Sequence, residues 1–125
     1  MSNIQSAISA INAKFDLAFN TKNAADIGQL YAENAVVLPA PAGATVNGRQ
    51  AVVDFFTGLI EAGVIDHQLT LVDAVEDGNL AYQVGLWAGA MVDAQGGRQT
   101  IGGNVHLVYR KQADGQWLAV THIWN

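Results

Sequence analysis

One histidine and one aspartate are the side chains that best suit proton transfer in this sequence. His122 stands in a segment of alternating apolar residues, between Val120 and Trp124. An imidazole exchanges protons near neutral pH, and burial would disfavour its charged form. Asp73 would share a sheet face with Tyr82, where its carboxylate could act as a base or hold a ligand hydroxyl. We therefore predict His122 and Asp73 as catalytic candidates; the alternatives are a core histidine with one hydrogen bond and a solvated carboxylate near a turn.

A set of phenols and apolar side chains could enclose a small molecule beside these two groups. Tyr31, Tyr82 and Tyr109 could each offer a hydroxyl to a carbonyl, and ordinary half-buried aromatic packing is the alternative. Asp16 is offset from the apolar stripe of its helix, so we expect it to be solvated. The predicted ligand-binding residues are Phe15, Tyr31, Phe56, Tyr82, Val84, Val105, Leu107, Tyr109, Val120 and Trp124.

Composition excludes several kinds of chemistry. The chain has no cysteine, so it can form neither a disulfide nor a thiolate metal site. The three histidines, His67, His106 and His122, show no metal-ligand spacing, and we predict neither a metal nor another cofactor. Six Lys and Arg residues are scattered among eleven Asp and Glu, and the net charge is −5. The clustered basic surface that nucleic acid requires is therefore missing from the sequence.

Length and hydropathy pattern predict one globular domain over residues 1–125. The chain is close to the commonest domain size, and no linker or internal repeat suggests a boundary. Half of the residues are hydrophobic, but they come in short periodic runs that are too interrupted for a membrane span. The first residues lack the basic and apolar segments of a signal peptide, so we expect a soluble, cytoplasmic protein.

Three helices are predicted in the N-terminal half. Over Ser2 to Asn20, apolar residues recur at three- and four-residue spacing, and Ser2 with Gln5 can form a capping box. Asn23 can cap a short second helix. The apolar pattern from Gly48 to Ala62 predicts a third helix, which Gly63 can terminate.

The other segments are predicted to be strands. Ala35 to Leu38 forms a short apolar strand, and a loop follows from Pro39 to Val46. After Val64 the apolar pattern alternates between neighbouring residues. Turn signals divide this part of the chain into a four-stranded antiparallel meander, and they lie at Asp77-Gly78, Gly96-Gly97 and Asp114-Gly115.

Two-residue turns set the expected faces of this meander. A turn at Asp77-Gly78 pairs Leu71 with Val84, and a turn at Asp114-Gly115 pairs Leu107 with His122. The face expected to be concave holds Leu69, Leu71, Asp73, Tyr82, Val84, Leu86, Val105, Leu107, Tyr109, Val120, His122 and Trp124. We predict that the opposite face packs on a second copy in a homodimer, because it would otherwise expose Ala81, Trp87, Trp117, Ala119 and Ile123.

Three further segments carry a family resemblance: Leu30-Tyr31-Ala32-Glu33-Asn34-Ala35, Asn47-Gly48-Arg49-Gln50-Ala51 and Leu80-Ala81-Tyr82 with Gly85. Together with a meander that ends in His122-Ile123-Trp124-Asn125, they resemble the nuclear transport factor 2-like superfamily over essentially the whole chain. Within that superfamily they resemble in particular the steroid delta-isomerase-like and SnoaL-like polyketide cyclase branches. The resemblance implies an α+β fold, in which a cone-like curved antiparallel sheet wraps around N-terminal helices as a cystatin-like α+β barrel. It also implies a pocket for a small apolar molecule.

The residues of the steroid isomerase reaction do not accompany this resemblance. That enzyme uses a tyrosine of the first helix, an aspartate base after the second helix and a second, protonated aspartate. The matching positions here hold Phe15, Pro39 and, on or beside the last, Val105. None of these side chains can transfer a proton, so we expect negligible steroid isomerase activity.

Three functions from different classes remain open. A small acid–base enzyme of isomerase, cyclase or lyase type would use His122 or Asp73. A non-catalytic binder of an apolar metabolite would need the pocket alone. An association module would have a filled core and would use its outer sheet face. A connected cavity of roughly a few hundred Å³ would favour a ligand site over an association module.

Overall fold

The computed structural model describes residues 2–41 and 43–125, and in it three helices and two short strands precede a long four-stranded meander. The helices are α1 (Asn3–Asn20), α2 (Ala24–Gly28) and α3 (Arg49–Glu61). The strands are β1 (Tyr31–Leu38), β2 (Val46–Asn47), β3 (Ile65–Asp77), β4 (Leu80–Val92), β5 (Arg98–Lys111) and β6 (Trp117–Trp124). Ala42, in the predicted loop from Pro39 to Val46, lies outside the described residues. Among the described helices, none is both long and apolar enough to span a membrane.

Helix α1 begins with the predicted capping box. The Ser2 hydroxyl accepts the Gln5 N–H at 3.2 Å, and the Gln5 side-chain oxygen accepts the Ser2 N–H at 3.0 Å. These two bonds satisfy backbone donors that the first helical turn leaves unpaired. One stripe of the helix is buried, and it consists of Ile4, Ile8, Asn12, Phe15, Ala18 and Phe19. The polar member of that stripe, Asn12, bonds to Gln83 of β4.

The sheet is curved, unclosed and mixed. Its strand order is β2-β1-β6-β5-β4-β3. Strands β3 to β6 form the predicted antiparallel meander, and β1 adds to β6 in parallel orientation. Close approach of the strands requires glycine in places: a Cβ atom on Gly102 would lie 2.6 Å from the Trp87 carbonyl oxygen. The helices cover the concave face, and the result is the predicted α+β fold.

The turn between β3 and β4 lies one residue later than the sequence suggests. Asp77 pairs with Leu80, and Gly78 takes the first central position of the turn with φ +64°. Glycine is favoured at that position because its backbone adopts positive φ without steric cost. A bulge between Leu71 and Asp73 then changes the register a second time. It leaves Asp73 exposed, so the predicted place of this carboxylate on the concave face is wrong.

The shifted register reverses the two faces of β4. Tyr82 and Val84, expected on the concave face, are 38% and 39% exposed on the outer face, and Leu86 accompanies them. The predictions for these three side chains are wrong. Ala81 and Gln83 are buried on the concave face in their place. A shift of one residue moves every side chain of a strand to the other face, which explains the size of the error.

The hairpin of β5 and β6 keeps the predicted register over most of its length. Leu107 pairs with His122, and both side chains are buried. A bulge then pairs Tyr109 with Ala119 instead of Val120. Val120 therefore lines a groove on the outer side, and its predicted place on the concave face is also wrong.

Candidate functional site

A cavity of about 340 Å³ lies between the concave face of the sheet and helices α1 and α3. This volume falls within the usual range for small-molecule sites, roughly 300 to 1,000 Å³. Apart from two imidazoles and two indoles, the described lining is apolar, and it contains no Lys, Arg, Asp or Glu. The lining residues are Phe15, Phe19, Ala40, Pro41, Phe55, Phe56, Leu59, Ala62, Val64, His67, Leu69, Trp87, Met91, Ile101, Val105, His122 and Trp124.

His67 is held at the cavity wall by a carboxylate of helix α1. Its Nδ1 atom lies 2.9 Å from Oδ1 of Asp16, and the two side chains are 10% and 20% exposed. The ring stacks on Phe19 with 4.7 Å between centroids and meets Phe15 at 5.0 Å. Because Asp16 engages Nδ1, Nε2 is the ring nitrogen that remains for a ligand in the cavity.

The backbone around His67 is fixed by the same helix. The Asn20 amide donates to the His67 carbonyl at 2.9 Å and accepts the His67 N–H at 2.8 Å. Both carboxylate oxygens of Asp16 accept the Leu69 N–H, at 3.2 and 3.0 Å. Strand β3 is a sheet edge, so these side chains pair backbone groups that the sheet leaves free. Asp16 and Asn20 thus fix both the ring and the main chain of His67.

His122 forms a second imidazole site on the cavity wall. Its Nδ1 atom lies 2.8 Å from the hydroxyl oxygen of Tyr31. Burial lowers the pKa of His122 to about 3, and positive charge on nearby His67 contributes in the same direction. Burial raises the pKa of the Tyr31 hydroxyl, and Tyr109 adds to that rise. At neutral pH this pair is therefore a neutral imidazole and a neutral phenol.

Behind His122, a buried group of polar side chains crosses the core. The amides of Asn12 and Gln83 bond reciprocally, at 3.1 and 2.8 Å. Gln83 also donates a short hydrogen bond to the hydroxyl of Tyr109. Burial raises the pKa of Tyr109, and the bond from Gln83 partly offsets the rise. All of these side chains are at most 4% exposed.

The structure brings together most, but not all, of the predicted site residues. Five of them line the cavity: Phe15, Phe56, Val105, His122 and Trp124. Three others, Tyr31, Leu107 and Tyr109, lie deeper, around a void of about 10 Å³. The remaining four do not line the cavity: Asp73, Tyr82, Val84 and Val120. The Asp73 carboxylate instead accepts the Ala74 N–H at 2.9 Å and meets Gln5 at 3.4 Å.

Sequence reasoning missed the Asp16–His67 pair. Asp16, expected to be solvated, is half-buried and bonded to the sheet. One signal for it does exist in the sequence: Asn12, Asp16 and Asn20 recur every fourth residue beside the apolar stripe of α1. Residues four apart lie on the same side of a helix, so this row predicts a polar contact with whatever α1 packs against.

The chemistry open to this arrangement is proton transfer and hydrogen bonding to an enclosed molecule. Asp16 can stabilise a protonated His67, whereas buried His122 stays neutral and can only donate or accept a hydrogen bond. Within the described ranges, no three His, Asp or Glu side chains converge in a way that could hold a metal ion. Among the described lining residues, proton transfer therefore rests on His67, and His122 can form a hydrogen bond to the enclosed molecule.

Comparison with known proteins identifies a family and a fold. A family model described as a SnoaL-like domain matches residues 11–120. No curated protein matches the sequence. A ketosteroid isomerase-like protein from Erwinia carotovora atroseptica is similar in structure, with a TM-score of 0.83 at 17% identity over 99% of this chain and 96% of that one.

Two further solved structures share the architecture. A nuclear transport factor 2-like protein with a cystatin-like fold, from Novosphingobium aromaticivorans, has a TM-score of 0.82 at 17% identity and covers 97% of this chain and 80% of its own. A nuclear transport factor 2-like superfamily protein from Salmonella enterica has a TM-score of 0.81 at 15% identity, over 98% and 89% of the two chains. At such identities the similarity concerns the fold alone.

Proposed function

The chain belongs to the SnoaL-like domain family, and from this premise we propose that its cavity binds a small, uncharged, mostly apolar molecule and exchanges a proton with it through His67. The observation that carries the proposal is the bond from Asp16 to His67 at the wall of an apolar cavity. The reaction class is an isomerisation, cyclisation or elimination that begins with removal of a proton.

His67 is suited to this role because both its ring and its backbone are held in place by helix α1. The carboxylate of Asp16 accepts a hydrogen bond from the Nδ1–H group of His67. The lone pair of Nε2 is then free to take a proton from a bound molecule. When Nε2 takes a proton, the same carboxylate stabilises the imidazolium. Asn20 holds the backbone in register, so the ring need not reorganise during proton transfer.

The described lining also limits the substrate. No Lys or Arg stands among the described lining residues, so a carboxylate or phosphate would lose its hydration without gaining such a partner. Flat rings can stack against the walls, where Phe56 and Trp124 lie 6.2 Å apart. These features favour an uncharged substrate with an aromatic or alicyclic skeleton.

A non-catalytic binder would use the same cavity without proton transfer, so the two functions differ in one measurement. We would incubate the chain with the ketone 1-tetralone in D2O and follow deuterium at the carbon beside the carbonyl by mass spectrometry. An enzyme should exchange that position faster than buffer alone, and His67→Phe should return the rate to that of buffer. Asp54→Asn, on an exposed part of α3, is the matched control.

Binding of 1-tetralone without exchange would instead support the non-catalytic function. Quenching of tryptophan fluorescence can report that binding, because Trp87 and Trp124 line the cavity. No quenching and no exchange would contradict the proposal for this class of compound. An association module is less favoured, because a filled core would leave no cavity of this volume.

The homodimer expected from the sequence remains a proposal; of the residues predicted for its surface, the patch described here keeps Ile123. The outer sheet face exposes an apolar group, called here the outer patch: Val75, Leu80, Tyr82, Val84, Leu86 and Ile123. Trp87 lines the cavity and does not belong to it. Contiguous exposed apolar surface of this kind marks association sites. The cytoplasmic location likewise remains a proposal.

A further inference from the structure

A second concave site lies on the outer side of the sheet, separate from the cavity that His67 and His122 line. Here strands β1, β5 and β6 and the first residue of α3 enclose a groove of about 670 Å³, called here the arginine groove. Part of its lining is apolar, because Ala32 is buried and both Leu118 and Val120 are half-buried. The rest consists of two guanidinium groups, one carboxylate and two amides. None of its lining residues also lines the cavity.

The charge of the arginine groove is opposite in sign to that of the whole chain. The chain has six Lys and Arg against eleven Asp and Glu, which gives a net charge of −5. Two of those six cations, Arg49 and Arg110, line the groove, and Glu33 is the one acidic residue among its described lining. Two arginines and one glutamate leave a formal charge of +1. The groove therefore attracts an anion that the rest of the surface repels.

Arg49 is held in the orientation that an anion requires. Its Nε and Nη2 atoms both donate to the carbonyl oxygen of Tyr31, at 3.0 and 2.7 Å. A guanidinium has five N–H groups, so three remain after these two bonds, two on Nη1 and one on Nη2. One N–H of each atom points outward along the same edge, which is the arrangement that binds both oxygens of a carboxylate. The half-buried side chain therefore keeps one complete binding edge free.

Neither guanidinium of the groove has an acidic partner in the part of the chain that the structure describes. The ion pairs found there involve other residues. Glu33 lines the same groove, yet it forms no ion pair with Arg49 or with Arg110. The side-chain amide of Asn34 also forms no hydrogen bond within residues 2–41 and 43–125. Both cations and one amide donor are therefore available to a ligand.

We propose that the arginine groove binds a small molecule that carries one carboxylate on an apolar body. The carboxylate accepts paired hydrogen bonds from Arg49 and is attracted by Arg110, while the apolar body covers Leu118 and Val120. Glu33 disfavours a second negative charge, so a singly charged ligand fits better than a dianion. This proposal does not depend on proton transfer in the cavity, whose described lining has no Lys or Arg.

Nuclear magnetic resonance of the ¹⁵N-labelled full chain, titrated with 2-naphthoate, tests the site. We expect saturable shifts of the Arg49 Nε–H and Asn34 amide signals, with a Kd of about 1 mM or below. The neutral counterpart 2-naphthamide should bind there about tenfold more weakly, because it lacks the charge. The indole N–H signals of Trp87 and Trp124 report on the cavity. Shifts confined to those indoles, or no saturable shift at all, would overturn the proposal.

Two substitutions in the groove should change the affinity for 2-naphthoate in opposite directions. Arg110→Gln alters an exposed side chain and should weaken binding about threefold, the effect of one exposed ion pair. Glu33→Gln removes the like charge and should tighten binding by a similar factor. The matched control is Arg98→Gln, which makes the same change of charge at an arginine that pairs with Asp66 outside the groove. Equal weakening by Arg98→Gln and Arg110→Gln would mean that only net charge attracts the anion, and would contradict a site.

Arg49→Lys separates paired hydrogen bonding from charge. Lysine keeps the positive charge but has no parallel pair of N–H groups, so the affinity for 2-naphthoate should fall about tenfold. Unchanged affinity in a folded variant would contradict the role of Arg49. Because Arg49 also bonds to the Tyr31 carbonyl, circular dichroism checks the fold, and Arg110→Gln with Glu33→Gln decides the proposal if Arg49→Lys does not fold.

A second copy of the chain is the competing occupant of the groove. In that case 2-naphthoate should not bind, and Arg110→Gln should lower the mass that light scattering gives for the wild type. That result would overturn the proposal. Deuterium exchange into 1-tetralone is measured separately and reports on His67, so the proposed function and this binding site can fail independently.

Discussion

The imidazole of His67 lies 2.9 Å from the carboxylate of Asp16, a residue 51 positions earlier in the chain and on a different element of structure. The bond joins helix α1 to the edge strand β3 at the cavity wall. Asp16 has a second contact as well, because its carboxylate accepts a hydrogen bond from the backbone N–H of Leu69. The same side chain therefore anchors the fold and orients the proposed base.

Asp16→Asn should lower the rate of deuterium exchange into 1-tetralone by about a hundredfold or more, the usual loss when acid–base assistance is removed. The amide can still accept the Leu69 N–H, but it no longer stabilises an imidazolium. The measurement compares this variant with wild type and with Asp54→Asn, and circular dichroism checks that each is folded. An unchanged rate in folded Asp16→Asn protein would exclude the pair as the catalytic unit.

The helices could be predicted well from the sequence, because their signals are local. Ser2 and Gln5 cap α1 as expected, and the spacing of apolar residues in α1 and α3 gives their bounds within about one residue. Register depends instead on a single turn and on bulges. The bulges after Leu71 and Val108 carry no residue type that distinguishes them from regular strand.

Only part of the site could be predicted, because its residues depend on strand register and on contacts between distant elements. His122 and Trp124 lie in the predicted register because the bulge between Val108 and Tyr109 cancels a one-residue shift that the hairpin has nearer its turn. His67 lies within β3 and bonds to Asp16, a helix residue 51 positions earlier, so no local pattern around His67 indicates its partner. A contact between distant elements can be recognised only once the docking of α1 on β3 is known.

The free energy of unfolding should decrease as the pH is lowered, and His122 should account for part of that decrease. Its folded-state pKa of about 3 lies below its ordinary value of 6.5, so the unfolded chain binds the extra proton between these values. The stabilisation is complete above about pH 6.5 and is lost as pH falls toward 3. The slope from this group is at most about 1.4 kcal/mol per pH unit.

Urea unfolding between pH 7 and pH 5 measures that slope, in a range where most carboxylates are still ionised. We expect His122→Phe to flatten the dependence, whereas His106→Gln, which alters an exposed ring on the outer face, should retain it. Equal slopes in wild type and His122→Phe would show that His122 is not held neutral by the fold.

Association should depend on the outer patch. Light scattering at micromolar concentration should give about twice the chain mass of 13.2 kDa for the wild type. Val84→Glu places a charge in the centre of the patch, where its desolvation on dimerisation would be costly, and should give the monomer mass. The control is Leu17→Glu on α1, an apolar residue that is 67% exposed and lies away from the sheet. A monomeric wild type, or a dimer that tolerates Val84→Glu, would refute this interface.

The bond between Tyr31 and His122 predicts a specific pattern of non-additive stability. His122→Phe alone leaves the buried Tyr31 hydroxyl without its partner and should cost about 1–3 kcal/mol in the free energy of unfolding. Tyr31→Phe alone leaves Nδ1 of His122 unpaired and should cost a similar amount. The double variant removes both polar groups, so its cost should be smaller than the sum of the two by about 1 kcal/mol or more.

Urea denaturation of the wild type, the two single variants and the double variant at pH 7 gives this coupling energy. The same cycle with Tyr82→Phe in place of Tyr31→Phe is the control, because Tyr82 makes no contact with His122. Additive costs would mean that the Tyr31 hydroxyl and the His122 ring are not coupled in the folded protein.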